Sequence, residues 1–230
     1  YKRQNHYLIN VLRVKVGAEV VLFDGSGFDF SGVVAAVDKK SVAVDLIGEP
    51  SSIGNESPLH TTLAIAISKG DRMDWVVQKA TELGVTEIQP LFTQRVDVKL
   101  SGDRSSKKQA HWHATAISAC EQCGRSVLPR MHSVCSIENW LDDCTESADT
   151  LSLVLAAGGK SLAAIKSGRI DAVRRATVLI GPEGGLTEQE LALAEAKGFF
   201  VLGFGQRTLR TETAPIVALT ALQSAWGDYM

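Results

Sequence analysis

The spacing of apolar positions divides the chain in two. Residues 19–23 (EVVLF), 31–37 (SGVVAAV) and 41–47 (SVAVDLI) are short β-type runs, and each stops at a turn signal: Asp24-Gly25, Asp38-Lys39-Lys40 and Gly48-Glu49-Pro50. Closely spaced strands with tight turns predict a small β-barrel. Ahead of them, residues 6–12 place Leu8, Val11 and Leu12 on one helical face and predict a short helix. Residues 51–58 (SSIGNESP) are poor in apolar side chains and rich in turn formers. The domain boundary is placed there, giving domains over 1–58 and 59–230.

Beyond the boundary, continuous apolar runs alternate with helical patterns. Strands are predicted at 61–67, 87–92, 151–155, 176–180 and 199–202, and helices at 71–83, 107–122, 187–197 and 215–226. The first of these helices gathers Met73, Val76, Val77, Ala80 and Leu83 on one face, with Asp71 as its N-cap and Gly84 as its stop. Thr187-x-x-Glu190 reads as a capping box, Gly198 closes the same helix, and Pro215 fits a first turn. Strands that are apolar throughout, alternating with helices, predict an α/β domain with a mostly parallel sheet covered on both faces. Such sheets bind ligands at the carboxyl ends of their strands, which directs attention to the loops after Leu155, Ile180 and Leu202.

Composition narrows the choice. The chain has 230 residues, 45% of them hydrophobic, and a formal net charge of −2. No run is long and apolar enough for a membrane span, and the polar start Tyr1-Lys2-Arg3-Gln4-Asn5 reads as no secretory leader. The net charge does not advertise a polyanion partner. Its distribution is more informative: Arg95, Lys99, Arg104, Lys107, Lys108, Arg125 and Arg130 outnumber the acids of their stretch, and Glu138, Asp142, Asp143, Glu146 and Asp149 follow. A local basic region can hold RNA despite a neutral total, although a solvated helix face has the same pattern. Cys120-x-x-Cys123 lies inside a helical pattern with no second ligand pair, so no metal site is expected. Cys120, Cys123, Cys135 and Cys144 read as reduced thiols of a cytoplasmic protein.

Three strand ends carry glycine: Ala156-Ala157-Gly158-Gly159, Gly181-Pro182-Glu183-Gly184-Gly185 and Gly203-Phe204-Gly205. Glycine permits close approach of a ligand or another backbone, and three such turns point to a shared ligand site. The phosphate-binding motifs fail. Gly159-Lys160-Ser161 could end a P-loop, but Val154 stands where the first glycine belongs, and Gly203-Phe204-Gly205-Gln206-Arg207-Thr208 lacks the third glycine of a dinucleotide fingerprint. A GxSxG elbow is absent. The ligand expected is nucleotide-like and not held through phosphates. The adjoining stretch Gln206-Arg207-Thr208-Leu209-Arg210-Thr211-Glu212-Thr213-Ala214-Pro215 is densely polar where the sheet presents ligands, although Arg210 and Glu212 could simply pair with each other.

Residues 179–186 (LIGPEGGL), followed by 209–214 (LRTETA), resemble the paired signature of the bacterial 16S ribosomal RNA uridine-N3 methyltransferases of the SPOUT superfamily. Further matches are His6-Tyr7-Leu8 with Val11-Leu12-Arg13, Lys69 to Asp74, Gln78 to Val85, Arg95 and Lys99, and Ala119 to Arg125. The resemblance covers nearly the whole chain. It departs at Ala156-Ala157-Gly158-Gly159, where relatives often carry proline or an acid.

The resemblance implies a PUA-like N-terminal β-barrel that helps hold RNA, and a C-terminal α/β domain tied in a trefoil knot that dimerises. True knots are rare and no periodicity reports one. It implies S-adenosylmethionine as cofactor, cupped by Leu155, Gly181, Pro182, Glu183, Gly184, Gly185, Leu202, Gly203, Leu209, Arg210, Thr211, Glu212, Thr213 and Ala214. The partner is 16S rRNA or the assembled small subunit, and the family's target is uracil 1498. Uridine N3 is a poor nucleophile until its proton leaves, so a base or an anion-stabilising cation is required, and Arg210 and Glu212 are the candidates. Glu212 could equally cap the last helix. N3 lies on the pairing edge, so the base must be unpaired or flipped. Arg13, Lys69, Arg95, Lys99 and Arg125 are candidate RNA contacts. Competing readings are a SPOUT enzyme for tRNA or ribose 2′-OH, an RNA-binding assembly factor without transferase activity, and a nicotinamide dehydrogenase, against which the incomplete fingerprint argues.

Overall fold

A computed structural model describes residues 5, 7–52, 54–96, 103–145, 147–167 and 173–229. It divides into two compact units: Tyr1–Asn55 with Gly124–Leu128, and Glu56–Cys123 with Pro129–Met230.

The first unit is built on an antiparallel sheet of β1 (Glu19–Phe23), β2 (Asp29–Val37) and β3 (Val42–Leu46), in that order. The register shifts between Val34 and Ala36, where β2 bulges against β3. The expected short helix is present as a π-helix, Tyr7–Val11. The segment Gly124–Leu128, distant in sequence, joins this unit. Val127 bridges Gly25 and Ser26, the Gly27 amide donates to the Ser126 carbonyl at 3.0 Å, and the Ser126 hydroxyl donates to the buried Asp29 carboxylate. Ser51 pairs with Asp29 through both backbone groups, at 2.8 and 3.0 Å.

The second unit is a parallel sheet with strand order β10-β8-β9-β4-β5-β6, in which β7 also pairs with β5. Its strands are β4 (His60–Ala66), β5 (Glu87–Phe92), β6 (Arg130–Met131), β7 (Cys135–Ser136), β8 (Thr150–Lys160), β9 (Arg175–Ile180) and β10 (Phe200–Leu202). The helices are α1 (Arg72–Glu82), α2 (Asp103–Cys123), α3 (Ile137–Asp143), α4 (Leu162–Ser167), α5 (Glu188–Ala196) and α6 (Thr213–Trp226). Alternation along the strands sends neighbouring residues to opposite faces. Leu63, Ile65, Leu153, Val178 and Ile180 pack with Met73, Val76, Val77 and Ala80 of α1 and Ala218, Leu219 and Leu222 of α6. Ala64, Val154 and Leu179 face the other way, onto Ile137 and Leu141 of α3 and Ala194 of α5. Two separate cores, one on each face, explain why these strands are apolar at every position.

Helix ends follow local chemistry unevenly. Thr187 caps α5, its hydroxyl accepting from the Glu190 amide at 3.2 Å while the Glu190 carboxylate accepts from the Thr187 amide at 2.7 Å. Asp71 occupies the N-cap position of α1, as its sequence position predicts, without a side-chain capping bond. β8 runs on to Lys160, so the expected loop at 156–159 is strand; the extension brings Lys160 opposite Leu202, past a register shift between Val201 and Leu202. The backbones of residues 159 and 203 cross there so closely that neither could carry a side chain. A Cβ on Gly159 would lie 2.5 Å from the Leu202 carbonyl carbon, and one on Gly203 would lie 2.7 Å from the Gly159 oxygen.

Candidate functional site

The glycine-bearing strand ends do converge. A cavity of about 1070 Å³ opens beyond the carboxyl ends of β8, β9 and β10. Leu155 to Gly158 supply one wall, Ile180 to Gly185 a second, and Leu202 to Glu212 a third, with Ala214 and Arg72 completing it. Of the residues expected to hold a cofactor, Leu155, Gly181, Pro182, Glu183, Gly184, Gly185, Leu202, Gly203, Leu209, Arg210, Thr211, Glu212 and Ala214 all line this cavity, and Thr213 does not. Thr213 is the first residue of α6, one position past the Glu212 cap.

The walls are made from backbone because the turns are too tight for side chains. At Gly181 a Cβ would meet the Leu186 amide nitrogen at 2.9 Å. The turn is closed by the Gly185 amide donating to the Pro182 carbonyl at 2.8 Å, with Gly185 at φ +69. Apolar surface comes from Leu155, Ile180, Pro182, Leu202 and Leu209. Charge sits at the rim: Arg72, Arg207 and Arg210 against Glu183 and Glu212. An apolar slot edged by amides and a few charges suits a purine nucleoside better than a polyphosphate.

Arg210 and Glu212 differ sharply in setting. The Arg210 side chain is 85% exposed and that of Glu212 21%, and their charged atoms are 4.0 Å apart, the outer limit of an ion pair. The pairing anticipated as an alternative to function is therefore present but loose. Glu212 stands at the N-cap of α6 without making a side-chain capping bond, so its carboxylate is not consumed by the helix.

The expected RNA contacts scatter. Arg13 and Lys69 are exposed, Arg13 at φ +50. Lys99 lies outside the described residues. Arg125 is 6% exposed. Arg95 is exposed, but its Nη1 donates to the Gly184 carbonyl at 2.7 Å and lies 3.4 Å from that of Leu186. Arg72 was missed as a cavity residue. It pairs with Glu183 and opens α1, just past the end of β4, so the strand-end rule applied to one more strand would have found it. No group of His, Cys, Asp and Glu among the described residues has the arrangement of a metal site. Burial raises the Cys144 thiol to about 11, and Cys135 is pushed up for the same reason, so neither is poised as a thiolate.

This crevice, at the switch point of a parallel sheet with a separate small β unit in the same chain, matches known proteins along its length. Residues 55–223 match the family described as RNA methyltransferase domain, and residues 2–47 the RNA methyltransferase PUA domain. The ribosomal RNA small subunit methyltransferase E of Buchnera aphidicola is 31% identical over 97% of this chain and 86% of its own length, and that of Synechocystis 34% identical over 96% and 71%. A Legionella pneumophila protein solved with bound SAM superposes with a TM-score of 0.91 at 37% identity, covering 99% of this chain and 91% of that one. The Neisseria gonorrhoeae ribosomal RNA small subunit methyltransferase E bound to S-adenosyl methionine gives 0.89 at 36%, over 100% and 92%. The class is thus an RNA methyltransferase with an α/β catalytic domain and a PUA domain. Within that class, the chain belongs to the ribosomal RNA small subunit methyltransferase E family.

Proposed function

We propose that this protein transfers a methyl group from S-adenosylmethionine to N3 of a specific uridine in 16S rRNA, uracil 1498 of the family, as a cytoplasmic homodimer. The observation carrying the reading is the glycine-walled crevice of about 1070 Å³ with Arg210 and Glu212 on its wall. The cofactor fits what is there: turns at Gly181 and at the 159/203 crossing packed too closely for a Cβ, apolar surface for an adenine, and volume left for a pyrimidine. Gly181 to Gly185, Leu202, Gly203 and Leu209 to Glu212 would hold it. When bound it supplies an electrophilic methyl carbon on a sulfonium.

The chain's own residues then align and deprotonate. The turns fix one reactant while the cavity mouth receives a base swung out of the RNA, converting a two-body encounter into an oriented one. The exposed Arg210 guanidinium, permanently charged, stabilises the negative charge that uridine spreads onto O2 and O4 as the N3 proton leaves. Glu212, half-shielded and 4.0 Å away, orients that guanidinium or accepts the proton. Arg13, Lys69, Lys99 and Arg125 are the cations of this reading that would meet phosphates. The homodimer rests on the family resemblance. No helix among the described residues is long and apolar enough to cross a membrane.

Tritium transfer from the cofactor to small subunits lacking the modification, followed by nucleoside analysis, tests the reading. Labelled 3-methyluridine is the expected product. Label on another nucleoside or on ribose would refute the assignment of target, and cofactor binding without transfer would favour an assembly factor.

A further inference from the structure

The segment after β5 is tied to the cavity wall by side chains the mechanism does not use. Arg95 Nη1 donates to the Gly184 carbonyl at 2.7 Å, with that of Leu186 at 3.4 Å, so one guanidinium spans both ends of the Gly185 bend. The contact is close along the whole side chain: a Cβ on Gly184 would lie 3.3 Å from Arg95 Cδ. The neighbouring residue fixes the other end. The Gln94 amide donates at 2.7 Å to Glu190 Oε1, while Glu190 Oε2 accepts from the Thr187 amide at 2.7 Å and hydroxyl at 3.1 Å. Glu190 is 2% exposed, and these donors with the amino end of α5 compensate its burial. Residues 94–95 therefore brace the turn 181–187 from outside the cavity, through one buried carboxylate and one guanidinium.

We propose that Arg95 is a positioning residue for the cofactor turn, acting on cofactor affinity through the Gly184 and Leu186 carbonyls and not as an RNA phosphate contact. The argument is one of satisfied chemistry. Carbonyls at a bend with three glycines have little else to hold them, and a charge-assisted bond from a planar guanidinium limits the turn's freedom before the ligand arrives. Nη1 is committed to these carbonyls, and a phosphate would have to be met by the remaining donors of the fork. This inference rests on the proposed cofactor.

The two roles separate in one pair of measurements on the full-length protein: calorimetric affinity for S-adenosylmethionine, and the salt dependence of binding to 16S rRNA. Arg95→Ala is expected to weaken the cofactor about tenfold, with kcat near normal at saturating cofactor and the slope of RNA affinity against salt unchanged. Arg95→Lys keeps the charge but loses the planar fork, and is expected to fall between. Unchanged cofactor affinity in Arg95→Ala overturns the proposal, and so does a salt slope reduced by about one, the mark of a lost phosphate contact. If the unaltered protein binds no S-adenosylmethionine, the proposed function fails first. If it binds and the variant binds equally, only the role of Arg95 fails.

Discussion

The two ends of the parallel sheet are built from opposite materials. At the carboxyl ends of β8, β9 and β10 the walls combine glycine turns and apolar side chains with a few charged residues. At the amino ends of β4, β5 and β9 side chains form a compact ionic cluster. Glu87 takes His60 at 3.2 Å on one oxygen and His132 at 2.5 Å on the other, and Arg175 stands opposite His60 in the register. One end leaves a volume open for a ligand, and the other fills its space with side chains gathered on the Glu87 carboxylate. A sheet whose layers are locked by two apolar cores can carry an under-filled end, because the strands are held without it. The contrast assigns chemistry to the first end and stability to the second.

Four substitutions would break or sharpen that contrast. The largest effect is expected from Gly159→Val, where the branched side chain has to enter the crossing with residues 202 and 203. Cofactor binding should be lost outright in calorimetry and the melting temperature should drop. Arg210→Ala should lower kcat by roughly 100- to 1,000-fold while calorimetric cofactor affinity stays near normal; full turnover in a single-turnover assay would remove Arg210 from the mechanism. Thr187→Ala removes half of the capping box of α5 and should cost about 1 kcal/mol in denaturant unfolding, with a smaller effect on transfer.

The smallest effect belongs to the ionic end. His60 sits below its usual range because burial disfavours its charged form and Arg175 repels it, Glu87 only partly offsetting both. Glu87 is also lowered: burial pushes it up, but the His132 hydrogen bond and the charges of His132, His60 and Arg130 outweigh that. Both depressions mean that the unfolded chain binds the protons more readily, so stability from each group is lost as pH falls. The His60 contribution is present above its unfolded value near 6.5 and fades below it, and that of Glu87 fades below about 4.5. Melting temperature should therefore slope downward from pH 7 towards pH 5, and His60→Gln should flatten that slope without changing cofactor affinity. A variant that altered the affinity would show that the two ends are coupled.

Sequence patterning reached the elements whose cause is local. β1 was read to the residue, the capping box was visible as Thr187 and Glu190, and the three glycine turns declared a shared site before any geometry was known. Elements with non-local causes were missed. α3 hides Ile137 and Leu141 inside an acidic stretch with no helical apolar face to show, because only two of its seven residues are buried. β6 and β7 are two residues each and have no period to show. Arg95 read as one more cation of a basic region, since nothing near it in sequence reveals that its acceptor lies 89 positions away. The setting of Arg125 is non-local too: its neighbours Ser126 and Val127 are recruited by residues about a hundred positions earlier, a pairing that periodicity does not record.

That recruitment has a consequence for biogenesis. The amino-terminal unit is complete only with Gly124–Leu128 in place, so it cannot finish folding while those residues are still inside the ribosome that makes it. At roughly 5–20 residues per second, the Asp29 carboxylate waits several seconds for the Ser126 hydroxyl, while most of α1, β5 and α2 is being synthesised. The nascent chain threads β4 and β5, two of the seven strands of its parallel sheet, through that interval, and a cut after residue 55 would leave the smaller unit permanently short of its closing segment.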